Sequence, residues 1–144
     1  MNNSLNLVAT GNIMPATFAK IDSGTEYGGA QAGAGDTPVG IVREAQKYPP
    51  LPSNTNYYAC EAGDLIPLVP DGVGPVHLTC DGSGTAIVPG MLLKPASGGV
   101  GVPVDTTGGT AAPQPYGARA LEGTSAASQK LQVEVVNGIY TYHA

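Results

Sequence analysis

The sequence predicts an all-β fold: a small β-sandwich or barrel-like domain with long loops and an extended N-terminal arm. Three observations lead there. Glycine and proline (21 and 13 of 144 residues) interrupt the chain every few positions, and the longest stretch free of both is Thr124–Asn137. That leaves room for one or two short helices at most, since a mean helix runs to about 11 residues. Several apolar runs alternate with period two, which places one set of side chains inward and the other in solvent. Turn-forming dipeptides fall between those runs, as in sandwiches and small barrels. The expected organisation is an arm over residues 1–17 followed by a single β-rich domain over 18–144.

Taken in order, residues 1–17 are polar, uncharged and weakly patterned, and end near Met14-Pro15. This is the pattern expected of an arm ordered by other subunits. Residues 22–38 contain Gly24, Gly28, Gly29, Gly33 and Gly35 with little to pack, and predict a long, mobile loop. The stretch 47–58 carries Pro49-Pro50-Leu51-Pro52, which favours an extended polyproline connector and could also dock on a partner domain. Val76, Leu78 and Cys80 alternate with His77 and Thr79; Val100, Val102 and Val104 with Gly101 and Pro103; Leu131, Val133 and Val135 with Gln132 and Glu134. Asp71-Gly72 and Asp81-Gly82 read as turns. Asn137-Gly138 reads as a hairpin turn between Leu131–Val136 and Ile139–Tyr142.

Charge narrows the function classes. Charged residues make up 12% of the chain and the net charge is −5, against a usual charged share of about 25%. The six cations, Lys20, Arg43, Lys47, Lys94, Arg119 and Lys130, stand singly. Direct nucleic-acid binding needs clustered cations against phosphates, and an anionic membrane makes the same demand; neither partner is expected. Residues 1–12 show no basic, then apolar, leader pattern, so synthesis in the cytosol is expected. No apolar run approaches the roughly 20 residues of a spanning helix. Cys60 and Cys80 are expected as buried, unbridged thiols.

The residues that could carry chemistry do not assemble into a recognisable site. His77 alternates onto the solvent side of its run, and His143 is next to the last residue; neither has an evident partner to position it. Cys60 and Cys80 lack the paired short spacing of zinc ligands. Asp71–Gly74 and Asp81–Gly84 lack the alternating carboxylates of a calcium loop. Gly28–Gly33 and Gly98–Gly101 lack the Gly-Lys-Ser/Thr ending and the following helix of a phosphate loop. A carboxylate pair for glycoside hydrolysis is not excluded by sequence, but the chain has no Trp and one Phe to form sugar platforms. The expectation is therefore a non-enzymatic protein with no catalytic, cofactor-binding or metal-binding residues and no cofactor. The seven tyrosines, Tyr27, Tyr48, Tyr57, Tyr58, Tyr116, Tyr140 and Tyr142, suit either interfaces or strand ends, and Tyr140 and Tyr142 would share a strand face.

Three phrases in succession resemble the capsid cement, or head decoration, proteins of tailed bacteriophages. They are Ala62-Gly63-Asp64-Leu65-Ile66-Pro67-Leu68-Val69, then Val88-Pro89-Gly90-Met91-Leu92-Leu93-Lys94-Pro95, then Tyr116-Gly117-Ala118-Arg119-Ala120-Leu121-Glu122-Gly123-Thr124-Ser125-Ala126. An earlier Thr37-Pro38-Val39-Gly40-Ile41 is similar to a further phrase of that family. The resemblance covers roughly Thr37 to Val136, and the segments 22–38 and 47–53 depart from it. It implies a small β-rich structural virion protein, often a homotrimer, that binds the major capsid protein on the outside of the head. The alternative of a different class is another virion surface module, fibre-associated or binding a receptor or glycan. A small hydrolase or polysaccharide-binding enzyme is a third reading.

Overall fold

The computed structural model describes residues 6–44, 58–107 and 112–141. Among these the chain forms ten strands and a single three-residue 3-10 turn at Ser97–Gly99. The strands are β1 (Val8–Ala9), β2 (Phe18–Ile21), β3 (Gly28–Gln31), β4 (Gly40–Val42), β5 (Leu68–Val69), β6 (Val76–Cys80), β7 (Leu92–Pro95), β8 (Gly101–Pro103), β9 (Gln114–Ala120) and β10 (Gln129–Tyr140). The protein is all-β, as the punctuation and the period-two runs predict.

The strands form two units. The first five make an open sheet in the order β1-β3-β2-β4-β5, and the last five close into a barrel in the order β10-β6-β8-β7-β9. Only one residue pair, Cys80 with Gly101, joins β6 to β8, and it is parallel. The other barrel pairings are antiparallel.

Alternation along the sheet strands makes the sheet a middle layer. Phe18 and Ile41 face the barrel and join Leu78, Cys80, Leu93, Ala118, Leu131, Val133 and Val135 in one core. Their neighbours Ala19 and Val42 face the other way, into a second core with Leu7, Ala9, Ile13, Cys60 and Ile66. Burying both faces of a sheet requires a cover on each. The barrel supplies one, and residues 7–13 with 59–66 supply the other.

That arrangement corrects the expectation of an N-terminal arm over its described part. Leu7, Ala9, Ile13 and Ala16 are buried, and β1 pairs in parallel with β3. Ile13 exchanges backbone hydrogen bonds with the segment around Cys60, donating to its carbonyl at 3.0 Å and accepting from Ala59 N at 2.8 Å. The apolar spacing in this segment is irregular because it acts as a lid lying across a sheet, so it shows neither strand nor helix periodicity.

The glycine-rich stretch 22–38 is built in at its centre, where β3 lies, while residues 23–27 and Ala34-Gly35 are exposed turns. A Cβ on Gly29 would lie 2.5 Å from Ile66 Cδ1 and 3.2 Å from Leu7 Cβ. The glycine there permits the close approach of the lid to the sheet, a demand that composition alone does not distinguish from a flexible loop.

Two further expectations are revised. The face assigned to Val100, Val102 and Val104 is inverted at its centre. Gly101 is the buried residue, its missing Cβ leaving room for Leu78 Cδ2, while Val100 and Val102 are half-buried and Val104 reaches the core beyond the end of β8. Asn137-Gly138 is not a hairpin turn. Strand β10 runs through it to Tyr140, and the register with β9 shifts between Val135 and Gly138, a β-bulge. Gly138 lies under the Tyr116 ring, which occupies the place of its Cβ. The Asp71-Gly72 turn closes over the bulge: Asn137 N donates to Asp71 Oδ1 at 2.8 Å, and Gly72 N to Val135 O at 2.7 Å. The runs Val76–Cys80 and Leu131–Val135 keep their expected faces. Residues 45–57, with the polyproline stretch, lie outside the described residues.

Candidate functional site

Strand β6 carries His77 outward, and the chain beyond β4 brings Glu44 to it. Glu44 Oε2 lies 2.6 Å from His77 Nδ1, and Glu44 Oε1 accepts from Lys130 Nζ at 2.6 Å. The hydrogen bond from Lys130, seconded by His77, holds the Glu44 carboxyl below its ordinary range against an opposing effect of burial. His77 therefore has a partner that sequence reading did not supply. The partner joins β6 and β10 of the barrel to the end of the open sheet. All three side chains are more than a third exposed, so the cluster is a modest surface tie between the two units. His143 lies outside the described residues.

The other singled-out residues serve structure. Cys80 is buried in the barrel core and Cys60 in the second core. Burial pushes the Cys80 thiol up to about 12, so it is a poor nucleophile. Asp81 Oδ1 accepts from Ser83 N at 2.9 Å and from Ser83 Oγ at 2.6 Å, closing the Asp81–Gly84 turn on itself. Those two bonds hold the Asp81 carboxyl below its usual range. Gly28–Gln31 is strand β3, which runs out before Gly33, and Gly98-Gly99 lie in a tight turn that leads into β8 at Gly101. Among the described residues no three His, Cys, Asp or Glu side chains are placed to share a metal ion.

Two clefts flank the β7–β8 ladder. The larger, about 380 Å³, is lined by Thr85, Met91, Leu92, Asp105, Thr106 and Tyr140 among others. The second, about 320 Å³, is lined mainly by apolar groups, including Pro95, Val102, Pro113 and Pro115, with Lys94 and Gln114. Gln114 stands between them and is almost fully buried. Its Oε1 accepts from Lys94 Nζ at 2.6 Å and from Asp105 N at 2.8 Å, while its Nε2 donates to Asp105 O at 2.9 Å. The reciprocal pair with the Asp105 backbone fixes the wall of the larger cleft. Asp105 Oδ1 in turn accepts from Thr107 N at 2.9 Å and Thr107 Oγ1 at 2.8 Å.

Neither cleft is lined by two carboxylates, so neither offers the acid pair of a glycosidase. Of the tyrosines, Tyr140 lines a cleft, Tyr116 covers Gly138, and Tyr27 is 76% exposed. Tyr48, Tyr57 and Tyr142 lie outside the described residues. Sequence reasoning does not single out Gln114 or Glu44. Gln114 shares parity with the buried Ala118 and Ala120 on β9, which marks it as inward-facing. Glu44 carries no such mark, because its partners are 33 and 86 residues away.

Compared with protein-family models and with curated proteins, the chain returns no match.

Proposed function

We propose that this chain is a capsid cement protein, a non-enzymatic virion component that binds the major capsid protein on the outer face of a phage head as a homotrimer. The observation that carries the reading is the order of the three phrases, Ala62–Val69, Val88–Pro95 and Tyr116–Ala126.

The physical setting of those phrases supports it. Each joins a tight turn to a strand: Gly90, for example, has φ +96° in the Val88–Met91 turn. Each also leaves a large apolar side chain in solvent, Leu65 at 68%, Val88 at 51% and Leu121 at 45%. Val88 and Leu121 sit on adjoining turns, where Gly90 N donates to Ala120 O and Thr124 N to Ile87 O. Exposed apolar groups in a charge-poor surface suit interface cores, from which charge is depleted. Closure of the barrel leaves that unit without open strand edges, which favours association through side-chain surfaces.

The test is co-sedimentation with bare capsids. Binding is expected to saturate at a fixed ratio to shell subunits, to depend weakly on salt because few ion pairs are available to be screened, and to raise the bursting temperature of the particles. Replacing Val88 and Leu121 by Asp should abolish it without lowering the melting temperature of the free protein. Purified protein that stays monomeric and ignores bare capsids at every salt concentration overturns the reading.

A further inference from the structure

We infer that Tyr27 of one copy seats in the proline-lined cleft of the next, and that this head-to-tail contact closes the homotrimer. The inference rests on the homotrimer of the reading above and names its contact.

Tyr27 is an aromatic side chain that the fold itself does not bury. Its ring is 76% exposed, at the end of the turn between β2 and β3. Its φ of +55° lies in the left-handed region, where a bulky residue is strained and glycine is at home. Strain of this kind points to a role outside packing. The backbone beneath is tied down: Tyr27 O accepts from Val8 N at 2.8 Å, and Gly28 bonds across the turn to Thr25 O and Asp22 N. The ring is therefore held out from a fixed base, which lowers the ordering cost of binding. Tyrosine is also among the residues that most often anchor interfaces.

The second cleft, about 320 Å³, has room for one such ring. Ala34, Pro95, Val102, Pro113 and Pro115 give it rigid apolar walls, and the C–H faces of proline rings pack well against an aromatic face. Its two long polar side chains, Lys94 and Gln114, are bonded to each other at 2.6 Å, and Gln114 also bonds the Asp105 backbone. Both have partners before a ring enters, so neither is stranded by it.

Charge matches the two surfaces. Asp22 and Glu26 share the turn with Tyr27, and Lys94 is the one charged residue lining the cleft. Among the described residues Lys94 forms no ion pair with a carboxylate. Opposite charge across a contact favours turn against cleft over turn against turn, which would set acid against acid. Tyr27 and Ala34 lie at opposite ends of β3, so the ring cannot fill the cleft of its own chain. Two different surfaces in contact make a heterologous interface, which yields a ring of copies where the rotation closes.

The test uses the purified full chain, with p-benzoylphenylalanine placed at position 27 to keep an aromatic ring there. Irradiating a mixture of isotopically light and heavy protein should join light chains to heavy ones, with mass spectrometry placing the links at residues 34–35, 94–96, 102 or 112–115. Light scattering should give a trimer for the parent and a monomer for Tyr27→Gly and for Ala34→Trp, which blocks the mouth of the cleft from an exposed position. Glycine tolerates the positive φ, so an unchanged circular dichroism spectrum of Tyr27→Gly separates a lost contact from a lost fold. Links confined to other surfaces, or a trimer that survives both variants, overturn the inference and leave the homotrimer in place. A parent that is monomeric at every concentration overturns the contact and the homotrimer together, while capsid binding is read separately by co-sedimentation.

Discussion

Replacing Ile13 by Ala distinguishes a structural lid from a detachable arm. Ile13 has no solvent exposure and packs in the second core with Leu7, Ala9, Ala19, Val42, Cys60 and Ile66. The substitution removes three carbons. At about 0.8 kcal/mol per buried methylene the transfer loss alone is roughly 2.4 kcal/mol. The cavity left behind adds to it, because the lid is tied by backbone hydrogen bonds at Ile13 and cannot collapse freely. The total should fall at about 3–4 kcal/mol, inside the usual 2–5 for such truncations. A domain of this size has about 7–15 kcal/mol to lose, so the variant should fold and melt at visibly lower temperature. Urea unfolding followed by circular dichroism is the assay, with the midpoint falling and the slope unchanged. Asn12→Ala, next to it but exposed, should lie within about 0.5 kcal/mol of the parent. A loss below about 1 kcal/mol for Ile13→Ala would refute the two-core account and restore the arm.

Other positions give independent checks. Gly138→Val must displace the Tyr116 ring; overpacking of this kind costs about 1–3 kcal/mol, and pairing with Tyr116→Ala should recover part of it in a double-mutant cycle. Cys80→Ala should cost on the order of 1–2 kcal/mol, and iodoacetamide should label Cys80 only in unfolded protein, since its thiol sits near 12. Glu44 has a carboxyl lowered by folding, so its contribution is present above the ordinary glutamate range and is lost as pH falls through the lowered folded value. Glu44→Gln should therefore be less stable than the parent at neutral pH and indistinguishable from it in strong acid, as read by melting temperature across the pH series.

The parts of the fold that were legible in the sequence are those where one strand face is buried and the other is wet. In β6 and in Leu131–Val135 the alternation of Leu78 and Cys80 with His77, or of Val133 with Gln132, reports a single boundary between core and water. In the open sheet both faces are buried, so Phe18-Ala19 and Ile41-Val42 are apolar at successive positions and no alternation remains to be read. Glycine hides the remainder. At Gly29, Gly101 and Gly138 the residue is glycine because a neighbouring side chain occupies the space of its Cβ, so the most tightly packed points carry the same letter as a loose turn. At these three positions the contact comes from a distant segment: Ile66 over Gly29, Leu78 over Gly101, Tyr116 over Gly138; Gly24, Gly33 and Gly35 meet only near neighbours or open space. The same reasoning accounts for the cleft. Thr85, Asp105 and Tyr140 are single residues on separate segments with no motif among them. Only the closure of the barrel, with the Gln114 clamp holding Asp105 in place, brings them into one wall.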